Sequence, residues 1–230
     1  MENMVKKTIS NIAWLVLIAC SLPLSVNAEQ DKPPETSYDG LVMVKQSKSS
    51  VVYSKADADF SEYDKILLLP SEVAFKKNWR RDYNRSQIST VDRVRESDVT
   101  RIKSRVAKLF DETFSDELSS IEGFTLVTEP VPNALILRPS VLDLDVNAPD
   151  INSMNRSRVY TRTAGQGTLL LEVYDAVSGE ILARVVDVRQ TRDNGFHSWA
   201  SKPRNNADAK ALVRKWASKL SSKLLEIHQP

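Results

Sequence analysis

Asp143, Asp145 and Asp150 form the densest group of residues in this chain that could do chemistry. Alternate residues of an extended strand share a face, so Asp143 and Asp145 would present two carboxylates to one hard cation. A solvated outer face opposite Leu142 and Leu144 explains the same spacing, and it is the stronger reading. No EF-hand spacing or histidine companion accompanies the acids. The chain has two histidines, His197 and His228. His197 stands beside Ser198 in a polar stretch, but no G-x-S-x-G elbow is present, and a triad lacks its third orienting group. No His/Cys pair has the spacing of a zinc site. Gly165-Gln166-Gly167 precedes a strand pattern, whereas phosphate-binding glycines follow a strand and open a helix. The expectation is no catalytic residue, no cofactor and no metal. The alternative is an envelope enzyme using Asp143, Asp145 or His197, which needs a pocket that brings them together.

Binding chemistry is richer. Lys76-Lys77-Asn78-Trp79-Arg80-Arg81-Asp82-Tyr83-Asn84-Arg85 interleaves cations with aromatics. Such a stretch suits anionic glycans, lipid headgroups or a protein partner. Trp79, Arg80, Arg81 and Tyr83 are the expected partner contacts, with the His197–Trp199 loop as a second patch. The competing reading is a solvated loop with Trp79 tucked onto the domain.

The N-terminal residues fix the expected compartment. Lys6 and Lys7 precede an apolar run through Cys20 and Leu22, Pro23 interrupts it, and Val26-Asn27-Ala28 supplies small residues before Glu29. This reads as a signal peptide over 1–28. Leu17-Ile18-Ala19-Cys20 also reads as a lipobox, in which Cys20 is lipidated. Ser21 then directs the protein to the outer membrane, since inner-membrane retention usually needs Asp there. Cleavage after Ala28 and lipidation at Cys20 both stay open. Cys20 is the sole cysteine, so the chain forms no internal disulfide. The formal net charge is +2, too balanced for a nucleic-acid binder. No later apolar run spans a bilayer, so membrane contact is expected only through a lipid on Cys20.

Residues 29–50 read as a flexible tether, and residues 51–230 as one domain. Ile66-Leu67-Leu68-Leu69 is a continuous apolar run stopped by Pro70, the pattern of a strand buried on both faces. Residues 76–97 look polar and irregular. Val99, Ile102, Val106, Leu109, Phe110, Phe114 and Leu118 draw one helical stripe, capped by Ser97 or Asp98. Ala134–Val146 reads as a long strand bent near Pro139. Thr168–Tyr174 and Ile181–Gln190 form a hairpin, with either a bulge near Val185-Val186 or two largely buried faces. A last helix, capped by Asn206, runs from about Ala207 to Ile227 and carries Trp216 on its apolar stripe. The predicted fold is α+β: a mainly antiparallel sheet with two amphipathic helices packed on one face.

Three stretches carry a family resemblance. They are Tyr63-Asp64-Lys65 into Ile66–Pro70, Leu137-Arg138-Pro139 into Leu142–Asp150, and Gly167 through Leu171–Asp175 with Ser178–Ala183. Together they resemble a bacterial family of exported lipoproteins catalogued as domain of unknown function 3313. The resemblance spans Val51 to Ile227. It implies an envelope location and a frequent lipobox, but no activity and no catalytic residues. The expected role is that of a non-enzymatic periplasmic protein, outer-membrane anchored if Cys20 is lipidated, that binds an envelope protein or cell-wall component.

Overall fold

The computed structural model describes residues 33–149, 160–191, 198–199 and 201–228. The expected signal peptide, Cys20, Asp150 and His197 lie outside them, as does the side chain of His228. The strands are β1 (Val42–Gln46), β2 (Ser50–Ser54), β3 (Lys65–Leu68), β4 (Glu72–Phe75), β5 (Thr125–Val127), β6 (Ala134–Val146), β7 (Tyr160–Thr161), β8 (Gly165–Asp175), β9 (Ile181–Gln190) and β10 (Ser198–Trp199). The α-helices are α1 (Trp79–Arg85), α2 (Glu96–Leu118) and α3 (Lys202–His228). Strands β7 and β10 pair as a separate ribbon.

Among the described residues the main sheet has eight strands, in the order β1-β2-β9-β8-β6-β3-β5, with β4 also paired to β6. Along the row β1, β2, β9, β8 and β6, successive strands pair antiparallel. Strands β3, β5, β4 and β6 pair in parallel. The sheet is therefore mixed, which corrects the expectation of a mainly antiparallel one. The chain between β3 and β5 carries α2, and a crossover of that length lets strands return in parallel.

Helices α2 and α3 cover one face. Phe110, Phe114 and Leu118 of α2, with Trp216, Ala217 and Leu224 of α3, pack on Ile66, Leu135, Leu137, Val141, Leu169, Leu171 and Val173. Phe110 and Phe114 stack with centroids 4.8 Å apart. Helix α2 begins one residue before the expected cap. Asp98, at its third position, accepts the backbone N–H of Arg95 at 2.9 Å. Helix α3 begins before the expected Asn206 cap. Pro203 fits its first turn, and the Ser201 hydroxyl accepts the Arg204 N–H.

The expected tether is also corrected over residues 36–50. Leu41 is 2% exposed, and β1 pairs with β2 through a turn in which the Ser50 N–H donates to the Ser47 hydroxyl. What composition marks as a Lys/Ser-rich linker is a hairpin on the sheet edge. Asp39 anchors it to the outer face, accepting from Arg184 Nη1 at 3.0 Å. Arg184 also donates to Glu172, its direct cross-strand partner, and Glu172 faces Arg138 in the next strand. Opposite charges alternate along that row, an arrangement that stabilises cross-strand pairs.

The irregularities in β6 and β9 fall elsewhere than expected. Pro139 keeps the register of β6 with β8 unbroken, with Leu171 opposite it. The proline sits where β6 passes from β3, last paired at Leu137, to β4, first paired at Ser140. That gap tolerates a residue without an N–H. The irregularity comes later, where Leu142 pairs Thr168 but Asp145 pairs Gln166, leaving one extra residue on β6. Between β8 and β9 the register shifts at Val173–Tyr174, beside the turn, not near Val185-Val186. The two polar residues of β9 that break its pattern, Arg184 and Asp187, are both buried and paired.

Candidate functional site

The extra residue in β6 separates the two described acids of the candidate metal cluster. Asp143 takes φ 49° in the bulge, so Asp143 and Asp145 no longer alternate onto one face. Asp143 is exposed, while Asp145 accepts from Lys76 Nζ at 3.5 Å. Among the described residues no group of His, Cys, Asp and Glu is arranged to hold a metal ion.

Trp79 is also displaced from its expected role. It is 5% exposed and packs with Val94 and Ile102 in a small satellite core. Its ring stacks on Phe75 at 4.1 Å and on Tyr83 at 5.8 Å, and its indole N–H donates to the Val146 carbonyl at 3.2 Å. A tryptophan with its N–H satisfied and its ring stacked is a packing residue. The short helix α1 makes this possible by turning Trp79 inward and leaving Arg80 and Arg81 outside. Arg80 pairs with Glu96 at 2.9 Å, and Arg81 with its neighbour Asp82. Burial, then the charge of Asp92, pushes the Tyr83 phenol up. The expected contact patch is thus divided between the interior and two paired surface arginines. A recess of about 320 Å³ beside it carries both signs of charge, with Lys76, Lys77, Asp82 and Asp145 on its walls.

A different feature has the build of a binding site. Between the C-terminal half of α3 and the strands β1, β2, β9, β8 and β6 lies an open groove of about 370 Å³. Its walls include Val52, Phe60, Leu135, Leu171, Val185 and Leu220. Among the described residues the polar side chains lining it are Ser54, Asp187, Lys45, Lys219 and Lys223. Ligand sites in proteins occupy about 300–1,000 Å³ and are mostly apolar with a few placed polar groups. The corrected N-terminal hairpin matters here, since β1 and β2 supply one wall. A smaller cavity of about 150 Å³ lies toward the other end of α3, against Ile102, Val106 and Leu109 of α2.

Asp187 holds the groove in shape. It is 1% exposed, and its carboxylate accepts from Lys219 Nζ at 2.6 Å and Arg189 Nε at 2.8 Å. Trp216 donates its indole N–H to the same carboxylate at 3.4 Å, and Lys219 reaches back to the Ser50 hydroxyl at 3.1 Å. Burial alone would raise the Asp187 carboxyl, but Lys219 and Arg189 outweigh it and hold the group below the ordinary carboxylate range. One charge thus fastens α3 to β9 and β2. Sequence reading missed this site because its residues come from six elements. The available signals were Asp187, which breaks the face pattern of its strand, and Lys219, which sits beside the apolar stripe of the last helix.

The model of the family described as "Protein of unknown function (DUF3313)" matches residues 32–220. The chain belongs to that family. No curated protein matches this DUF3313 chain. Among solved structures, the PelC dodecamer from Paraburkholderia phytofirmans is similar at 10% identity and TM-score 0.35, covering 75% of this chain and 97% of that one. Protein XCC0632 from Xanthomonas campestris is similar at 10% identity and TM-score 0.38, covering 76% and 90%. Lipoprotein GNA1162 from Neisseria meningitidis is similar at 13% identity and TM-score 0.22, covering 67% and 96%. Likeness at these scores carries neither assembly nor activity across to the DUF3313 chain.

Proposed function

We propose that this DUF3313 protein is an exported cell-envelope protein that acts by binding, not catalysis, and holds an apolar group in the groove under α3. The observation that carries the reading is the groove itself: about 370 Å³ of open space with almost wholly apolar walls. A soluble domain gains by closing such space, since unfilled apolar volume costs stability. The dispersed acids support a non-catalytic role, as Asp143 faces solvent and Asp145 is taken up by Lys76. Export rests on the N-terminal pattern of Lys6, Lys7, the apolar run and Ala28. No helix among the described residues is long and apolar enough to cross a membrane.

A neutral fluorescent probe, N-phenyl-1-naphthylamine, tests the binding half. Saturable one-site binding by the wild type is expected, with loss in Leu220→Trp, which fills the groove at a tolerable overpacking cost of about 1–3 kcal/mol. Absence of saturable binding, or binding unchanged in the filled variant, would count against it. Palmitate labelling with Cys20→Ser tests the export half. A labelled, Cys20-dependent membrane fraction means a lipid anchor, and an unlabelled periplasmic chain starting at Glu29 means ordinary cleavage. A chain retained in the cytoplasm refutes export.

A further inference from the structure

The groove also discriminates among ligand chemistries. Its walls offer almost nothing for a hydrogen bond: among the described residues Ser54 is the one neutral hydroxyl or amide side chain, and Asp187 is already committed to Lys219, Arg189 and Trp216. A ligand with polar groups in its buried part would leave them unpaired, at a cost of about 1–3 kcal/mol each. The buried part must therefore be hydrocarbon. Aromatic surface is limited to Phe60 and Trp216 against a larger number of Leu, Val and Ile side chains, which suits an alkyl chain better than a stacked ring. The volume lies near the low end of the ligand-site range, so it suits one chain and not two.

Charge identifies the other end. Three lysines line the groove, and each reaches solvent: Lys45 on β1, and Lys219 and Lys223 on α3. Lys223 pairs with Glu226 one turn on. Lys223 first, and Lys45 more weakly, hold the Glu226 carboxyl below its ordinary range. The lysines of β1 and α3 thus already favour an ionised carboxylate at this edge. Asp187 is fully engaged at the base by two cations, one of them from outside the lining. The solvent-facing edge stays net positive, an arrangement complementary to an anionic headgroup.

We infer that the groove takes a single-chain aliphatic anion of the fatty-acid class, with the alkyl chain against the partly exposed Val52, Phe60, Val185 and Leu220 and the headgroup beside Lys45 and Lys223. The inference rests on the groove being a binding site, and the test separates the two. Dodecanoate and the neutral dodecanol are each titrated against probe-loaded protein, wild type and Lys45→Gln/Lys223→Gln. These lysines are exposed and lie outside the Asp187 cluster, so the variant is expected to fold with an unchanged Tm. In the wild type, dodecanoate should displace the probe at lower concentration than dodecanol. The double variant should weaken dodecanoate about tenfold and leave dodecanol unchanged, and added salt should erode the dodecanoate advantage. Equal displacement by both compounds, unaffected by the variant, would overturn the anion assignment while leaving the groove reading intact. Displacement by neither overturns both. Sedimentation with phosphatidylglycerol vesicles, with free dodecanoate failing to compete, would place the anion in a membrane and overturn the free-amphiphile assignment.

Discussion

Trp79 and Asp187 show how a residue's surroundings decide its role. Trp79 lies in a run of cations, where an aromatic invites a surface reading, yet its ring stacks on Phe75 and its indole N–H is satisfied. Trp79→Ala is expected to cost about 3–5 kcal/mol in a denaturant melt, the range for removing a buried large aromatic. Arg80→Ala and Arg81→Ala should each stay within about 0.5 kcal/mol. Phe75 was visible in the sequence, but nothing local says that it returns beneath Trp79, so that pairing was not legible. Asp187 was legible only as a polar residue out of pattern. Because Lys219 and Arg189 keep its folded pKa depressed, its contribution is fully present above the unfolded carboxylate value of about 3.9. That contribution is lost as pH falls through the lower folded value. Chemical denaturation from pH 7 to 2 should show wild-type stability dropping below about pH 4, and a shallower acid limb for Asp187→Asn. At pH 7 that variant should lose about 1.5–3 kcal/mol, the range for a hydrogen bond to a charged group. A larger loss is not expected, because the stranded Lys219 is 39% exposed and can be hydrated.

At the scale of elements, the β6 bulge is held by two backbone conformations. Asp143 occupies the left-handed region at φ 49°, and across the ladder Gly165 sits at φ +155°. A Cβ on Gly165 would stand 2.2 Å from the Asp145 carbonyl oxygen, which is backbone and cannot swing away. Gly165→Ala should therefore destabilise by about 1–3 kcal/mol or more. Asp143→Gly should be neutral or mildly stabilising, since glycine relieves a left-handed position that costs other residues about 1–2 kcal/mol. Thermal melts of the pair check both signs. The two long helices, the β8–β9 hairpin and the unbroken run of β3 were all readable, because period and turn chemistry are local. The β6 bulge was not, since an inserted residue leaves the alternation on either side intact. Helix α1 and the β1–β2 hairpin were hidden by polar composition, which reports solvent exposure and not order.

For the molecule as a whole, the mixed sheet was partly written in Ile66–Leu69, whose continuous apolar character belongs to a strand covered on both faces, as parallel strands are. Strand order is a property of the whole chain, and no single segment carries it. The groove arises at that same scale, where α3, the central strands and the N-terminal hairpin meet. Its occupancy can be read with methyl-selective NMR on protein labelled at Leu, Val and Ile, titrated with dodecanol. The expected result is shifts in the Val52, Val185 and Leu220 methyls that saturate near one equivalent, with Ile102, Val106 and Leu109 beside the smaller cavity unmoved. Shifts confined to that second set, or none in either, would contradict a ligand site under α3.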